Sequence, residues 1–252
     1  MRIGFDLDGT VADMHAALAR EAARLFPGVD PSAVPSSSDP SEKPDAGTAA
    51  SADVAPTTKG LSSSQMKQVW SAVCARANFW ETLDEIEPGA LARLYSVAQH
   101  RKWEVIFITS RPESAGDTAQ MQSHRWLLKH GYRAPSIFVC HGSRGKIASA
   151  LALDAFVDDR PENCLDIAID SQARAILVWR GDEDKVPGSA RQLGIGSVTS
   201  IHECLDILER LDDGGGESGT VVSRLKQLLG LKPKSARSDT PHRPVAAGLS
   251  RS

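Results

Sequence analysis

Aromatic residues make up only 5% of this 252-residue sequence, and there are four cysteines. Cys74, Cys140, Cys164 and Cys204 lie far apart and form no C-x-x-C pair, which argues against a zinc knuckle or a redox dithiol and predicts buried, reduced thiols. No run approaches the roughly 20 apolar residues of a membrane-spanning helix. Asp6 and Asp8 stand where a signal peptide would need its apolar stretch, so no membrane partner is expected and a cytoplasmic location is. Nor is there an excess of one charge: a formal net charge of -3 offers no footprint for a polyanion, and nucleic acid is not an expected partner. No internal repeat is present. What remains, 41% apolar and 24% charged residues, suits an ordinary globular chain long enough for one α/β domain and a small accessory element.

The pattern along the chain alternates strand and helix. Residues 2 to 7 predict a short buried strand that breaks at Asp8-Gly9-Thr10, and Val11 to about Phe26 carries apolar residues at helical spacing until Pro27-Gly28. From about 29 to 64 the sequence is Ser-, Pro-, Ala- and Thr-rich with almost no large apolar residue, and a disordered insertion is expected. A helix with Met66, Val69, Trp70 and Val73 follows, then Phe79-Trp80 and a helix opened by Pro88. Strands are predicted at Trp103–Thr109, Ser136–Cys140, Ala155–Val157 and Ala175–Val178. Helices are predicted from Pro112 to about His130, from Lys146 to Leu153 and after Pro161. Ser200 and Glu203 have the spacing of a capping box that opens a last helix. The expected architecture is a Rossmann-like three-layer α/β sandwich with about five parallel strands. Its core would span 1–13 and 82–212, with a small helical cap at 14–81. From 213 to 252 a mostly disordered tail is expected, in which only Val221 to Leu231 looks helical.

The chemistry concentrates in carboxylates. Asp6 and Asp8 emerge just as a buried strand ends, and Asp158-Asp159 follows the apolar Ala155-Phe156-Val157, so both pairs fall at carboxyl ends of strands, where open α/β sheets place their ligands. Like charges this close are costly to bury unless a cation or a shared proton neutralises them. A hard divalent ion with oxygen ligands, magnesium first, resolves the conflict.

These residues resemble the haloacid dehalogenase-like superfamily, whose four motifs recur in order: Asp6 to Val11, Ile106 to Ser110, Lys146, and Phe156 to Asp159. The resemblance implies a phosphatase with Asp6 as covalent nucleophile and Asp8 as general acid and base. It also implies Mg2+ on Asp6, Asp8 and Asp159, with Asp158 orienting ligands or Lys146. Thr109, Ser110 and Lys146 would bind the phosphate. Lys102, Lys129 and Arg144 also fall near strand or helix ends and compete with Lys146 for the cationic role. An acid at position 8 sets the chain apart from dehalogenases, which have no alkoxide to protonate.

Asp8 to Asp13, Phe79-Trp80-Glu81, Pro88-Gly89-Ala90 and Thr109 to Pro112 resemble the 5'(3')-deoxyribonucleotidase family, in which aromatic cap residues contact the base. Trp70, Phe79, Trp80 and Arg111 are thus candidate substrate contacts, and a nucleotide is the implied small-molecule phosphate ester. The departures are Arg111, where the family pattern has a smaller residue, a longer spacing from Lys146 to the acidic pair, and the 29–64 insertion. The rings could equally pack the cap on the core. Phosphatase action on a sugar phosphate or another small metabolite, and a non-catalytic binding module, are the alternative readings.

Overall fold

The computed structural model of the protein describes residues 1–28 and 61–213. The disordered insertion expected at about 29–64 and the tail expected from 213, with its helical Val221 to Leu231, fall outside these residues except at 61–64 and Asp213. Residues 61–64 lead into a helix. Ser62 caps it by accepting from Gln65 N at 3.2 Å, while the Gln65 side chain accepts from Ser62 N at 2.9 Å. Among the described residues no helix is long and apolar enough to cross a membrane.

The centre is one parallel sheet of six strands: β1 (Arg2–Phe5), β2 (Glu104–Thr109), β3 (Ser136–Val139), β4 (Ala155–Asp158), β5 (Arg174–Val178) and β6 (Gly196–Val198). Their order across the sheet is β3-β2-β1-β4-β5-β6. The sixth strand exceeds the expected five. At three residues it is too short to show an apolar period, and its pairing with β5, Ile176 opposite Gly196, defines it.

Side chains alternate across the sheet. Ile3, Phe5, Phe107, Val157 and Val178 enter one apolar cluster, whereas Ile108, Phe156 and Leu177 enter the other. Helices α3 (Ala90–Arg101) and α8 (Ile201–Asp213), with Trp126 and Leu127 of α4 (Ala119–Lys129), fill the first cluster. Helices α5 (Arg144–Ala150), α6 (Pro161–Asp170) and α7 (Gly188–Gln192) cover the other face, giving the three-layer α/β sandwich.

Helices α1 (Met14–Leu25) and α2 (Ser63–Ala75) interlock Leu18 and Ala22 with Met66, Val69 and Val73 to form a small helical element over the carboxyl edge of the first strands. Two local differences from the predicted helices have clear causes. α4 starts at Ala119 rather than after Pro112, because Gly116 takes φ +99° and Thr118 supplies the cap, accepting from Met121 N at 3.3 Å. At α8, Ser200 accepts from Glu203 N at 3.0 Å, but the Glu203 carboxylate reaches Thr199 N, at 2.8 Å, instead of completing the capping box.

Candidate active site

β1 and β4 are neighbours, and the chain leaves them in opposite directions across the sheet, β1 towards β2 and β4 towards β5. Such a reversal opens a crevice at the carboxyl ends of the two strands. Asp6 extends β1 by donating its N–H to Val157 O at 2.9 Å, and Asp158 ends β4. The chain then doubles back, with Val11 N and Ala12 N both donating to Leu7 O at 2.9 and 2.8 Å. Gly9 makes this turn possible in two ways. It adopts φ +87°, and a Cβ there would lie 2.2 Å from Asp159 Oδ2. The Asp159 carboxylate can therefore press against the turn, where Thr10 Oγ1 donates to it at 3.0 Å.

Asp6 is 6% exposed and Asp158 wholly buried. Burial, followed by the Asp158 charge, pushes the Asp6 carboxyl well above the usual carboxylate range, with Arg144 opposing the shift. Burial lifts Asp158 as well, although Arg144, Arg160 N at 2.9 Å and Asn163 Nδ2 at 3.0 and 3.1 Å favour its charged form. Asp159 is raised to about 7 by burial and by Asp158. Three acids held this way carry an unmet demand for positive charge. Among the described residues no group of three or more His, Cys, Asp or Glu side chains is arranged to hold a metal ion. Asp6 and Asp159 line one cleft, however, and two carboxylates with a backbone carbonyl are an oxygen donor set suited to magnesium.

Two arginines face the acids. Arg144, 5% exposed, donates from Nη2 to Asp6 Oδ1 at 3.1 Å and from Nη1 to Cys140 Sγ at 3.4 Å; its Nε is buried without a hydrogen-bond partner. Burial works against this charge, but Asp6 and Asp158 hold its pKa above the ordinary arginine value. The start of α5 is fixed so that Arg144 points inward. Ser143 Oγ donates to Asp166 at 2.9 Å, Gly145 N donates to Asp166 Oδ2 at 2.9 Å, and a Cβ on Gly145 would meet Asp166 O at 2.2 Å. Arg111 is buried against Asp8, with Nη2 at 2.7 Å from Oδ1. The cleft is walled by these groups and, from the other side, by Met14, Trp70 and Trp80.

No protein-family model matches the sequence, and no curated protein matches it. Among solved structures, a HAD family hydrolase from Deinococcus radiodurans R1, crystallised with phosphate and sodium bound, superposes with a TM-score of 0.51. The match covers 84% of this chain and 96% of that one at 14% identity. The two chains share a fold.

On this fold the predicted residues Asp6, Asp8, Thr109, Ser110, Arg111 and Asp159 come together around one cleft. Lys146 does not join them. Its backbone N–H donates to the Ser143 cap at 3.1 Å while its side chain is exposed, and Arg144 is the cation at Asp6. Asp158 lies beneath the cleft and orients Asn163, not Lys146. Thr109 is buried, with its hydroxyl donating to Asp8 Oδ2 at 3.1 Å. Of the rings, Trp70 and Trp80 reach the cleft, whereas Phe79 packs edge-on against Trp80 with centroids 5.1 Å apart and does not line it. Arg111 is engaged by Asp8 rather than turned to a ligand. In the sequence Arg144 is only one of the competitors of Lys146, and Asn163 and Trp126 carry no signal of their own; Ser143, in position to cap a helix, is the local feature that favours Arg144.

Proposed function

We propose that this chain is a magnesium-dependent phosphatase that hydrolyses a phosphate monoester through an aspartyl-phosphate on Asp6, with a nucleoside monophosphate as substrate. The observation that carries the reaction type is the meeting of Asp6, Asp159 and Arg144 in one cleft at the reversal of the sheet. A carboxylate nucleophile beside a guanidinium suits transfer of a phosphoryl group, whose charge must be offset while it is attacked. Phosphate bound to the Deinococcus hydrolase of the same fold is consistent with this reading.

In the first step an Asp6 oxygen forms a bond to phosphorus as the ester P–O bond breaks, and Asp8 gives a proton to the departing alkoxide. In the second, water attacks the phosphorus of the acyl phosphate, Asp8 takes its proton, and Asp6 leaves as the carboxylate. Asp6, Asp159 and the Asp8 backbone carbonyl would hold Mg2+, which when bound supplies positive charge to the acids and the phosphate. The free Nε of Arg144 offers a donor to a non-bridging phosphate oxygen, supported by Ser110 and the backbone that follows Thr109, whose own hydroxyl is engaged by Asp8. Asp158 keeps Asn163 and the start of α6 in place.

Trp70 supports the substrate class. It lines the cleft, is nearly buried, and its indole Nε1 has no hydrogen-bond partner among the described residues. A buried N–H without a partner calls for an acceptor, and the carbonyl of a nucleobase lying edge-on to the indole supplies one. Phosphate release from a panel of nucleoside monophosphates and sugar phosphates tests this reading. The expected result is a preference for nucleotides that Trp70→Leu weakens mainly through KM. Equal or better turnover of sugar phosphates would discard the nucleotide and keep the mechanism.

A further inference from the structure

Arg111 is 2% exposed, yet it carries a full charge into the protein. Each guanidinium nitrogen has a partner. Nε donates to Asp8 Oδ1 and Oδ2 at 3.0 and 2.9 Å, Nη2 to Oδ1 at 2.7 Å, and Nη1 to Ser123 Oγ at 2.9 Å. Its central carbon lies 5.1 Å from the Trp80 ring centroid and 5.6 Å from that of Trp126. The walls are anchored independently of Arg111. Trp80 Nε1 donates to Pro112 O at 3.1 Å, Trp126 Nε1 to Leu83 O at 2.8 Å, and Ser123 Oγ to Ala119 O at 2.7 Å. Enclosing a charge is costly even when it is paired, and an apolar side chain would fill the same space without that cost. Stability alone therefore gives no reason for an arginine here, whereas a fixed, forked donor aimed at a single carboxylate does.

We propose that Arg111 is a positioning residue for Asp8. The two indoles and Ser123 fix the guanidinium, the guanidinium fixes the plane of the Asp8 carboxylate, and that plane sets the line along which Asp8 meets the leaving-group oxygen. The proposal rests on the phosphatase reading above. Because Arg111 is spent on Asp8, it acts on the two steps in which Asp8 moves a proton and not on substrate affinity; of these only the first depends on the leaving group. Lysine keeps the charge but cannot present the planar fork, so Arg111→Lys separates orientation from charge. Ser123→Ala, which removes one wall contact, is a milder second variant.

The experiment compares kcat and KM of the magnesium-loaded parent, Arg111→Lys and Ser123→Ala on p-nitrophenyl phosphate, whose leaving group departs without a proton, and on alkyl phosphates, a nucleoside 5'-monophosphate and glycerol phosphate, which need one. Circular dichroism checks the fold of each variant, and Ser123→Ala decides the matter if Arg111→Lys does not fold. The expected result for Arg111→Lys is a loss in kcat/KM, which reports the first step alone, of roughly 10²-fold on the alkyl esters and much less on the aryl ester, the pattern of impaired acid catalysis; the second step, where Asp8 is the base for every ester, lowers kcat on both classes. Ser123→Ala should move the same way by less. Equal losses of kcat/KM on both ester classes, or a raised KM with kcat retained, would overturn the positioning role. A parent that releases phosphate from no ester overturns the phosphatase reading itself, and the role with it.

Discussion

At Asp6, three carboxylates and one guanidinium meet in a space largely closed to water, so the identity of the cation matters more there than at any exposed position. Arg144 supplies that charge and Lys146, two residues on, does not. Residues two apart on a helix point about 200° away from each other. The choice between them depends on where the helix begins, and Ser143 at the cap fixes Arg144 as its first residue. Arg144→Ala is expected to lower kcat by roughly 10²- to 10³-fold, as loss of a preorganised charge in an active site does. Lys146→Ala should leave kcat almost unchanged; steady-state kinetics on the two variants checks the contrast. Asp6, Asp8 and Asp159 were legible in the sequence because a carboxylate after a short apolar run has few other reasons to be there. Arg144, Asn163 and the Trp126 wall around Arg111 were not, because each depends on helix phase or on contacts between distant segments.

The elements deliver these residues through their ends. β1 and β4 were readable from apolar runs stopped by acids, and α6 from Pro161 at its first turn. β6 and the late start of α4 escaped because three residues carry no period and because the loop from 112 to 118 holds its shape through a positive-φ glycine, a threonine cap and a tie to the helical element. In that tie Asn78 Oδ1 accepts from Asp117 N at 2.9 Å and Ala115 N donates to Cys74 O at 2.7 Å. The junction of α5 and α6 is the most exacting, since Gly145 leaves no space for a Cβ against the Asp166 carbonyl. Gly145→Ala must push α5 outward and carry Arg144 with it. A stability loss of about 1–3 kcal/mol, typical of overpacking, is expected in chemical denaturation. It should come with a fall in kcat for the folded fraction, a loss that an unrelated destabilising change in α8 would not produce.

Across the whole molecule, the sheet order brings two acidic strand ends together although more than 140 residues separate them in sequence. The consequence for stability can be given a sign. A carboxyl raised to about 7 by burial and Asp158 retains a proton that the unfolded chain releases near its ordinary value of 3.8. The folded chain therefore binds more protons over that interval, and this group's contribution is full below about pH 4 and is lost as pH rises through about 7. Without metal, Asp159→Asn should raise the thermal midpoint at pH 8 by roughly 2–4 °C relative to the parent, on the scale of a 1 kcal/mol change in a domain of this size. The gain should shrink towards pH 5. With magnesium present at pH 8 the order should narrow or reverse, because the parent then gains a ligand that the variant holds less well. A midpoint difference that stays the same from pH 5 to 8, with or without metal, would mean that the acids are not a charge-strained site.

The most direct measurement is phosphate release by the parent chain and by Asp6→Asn, each assayed with magnesium and after chelation. Metal-dependent release by the parent, reduced by at least about 10³-fold in Asp6→Asn as expected when a covalent nucleophile is removed, is the predicted result. Release that survives chelation, or that persists in Asp6→Asn at the parent rate, would contradict a phosphoryl transfer centred on Asp6.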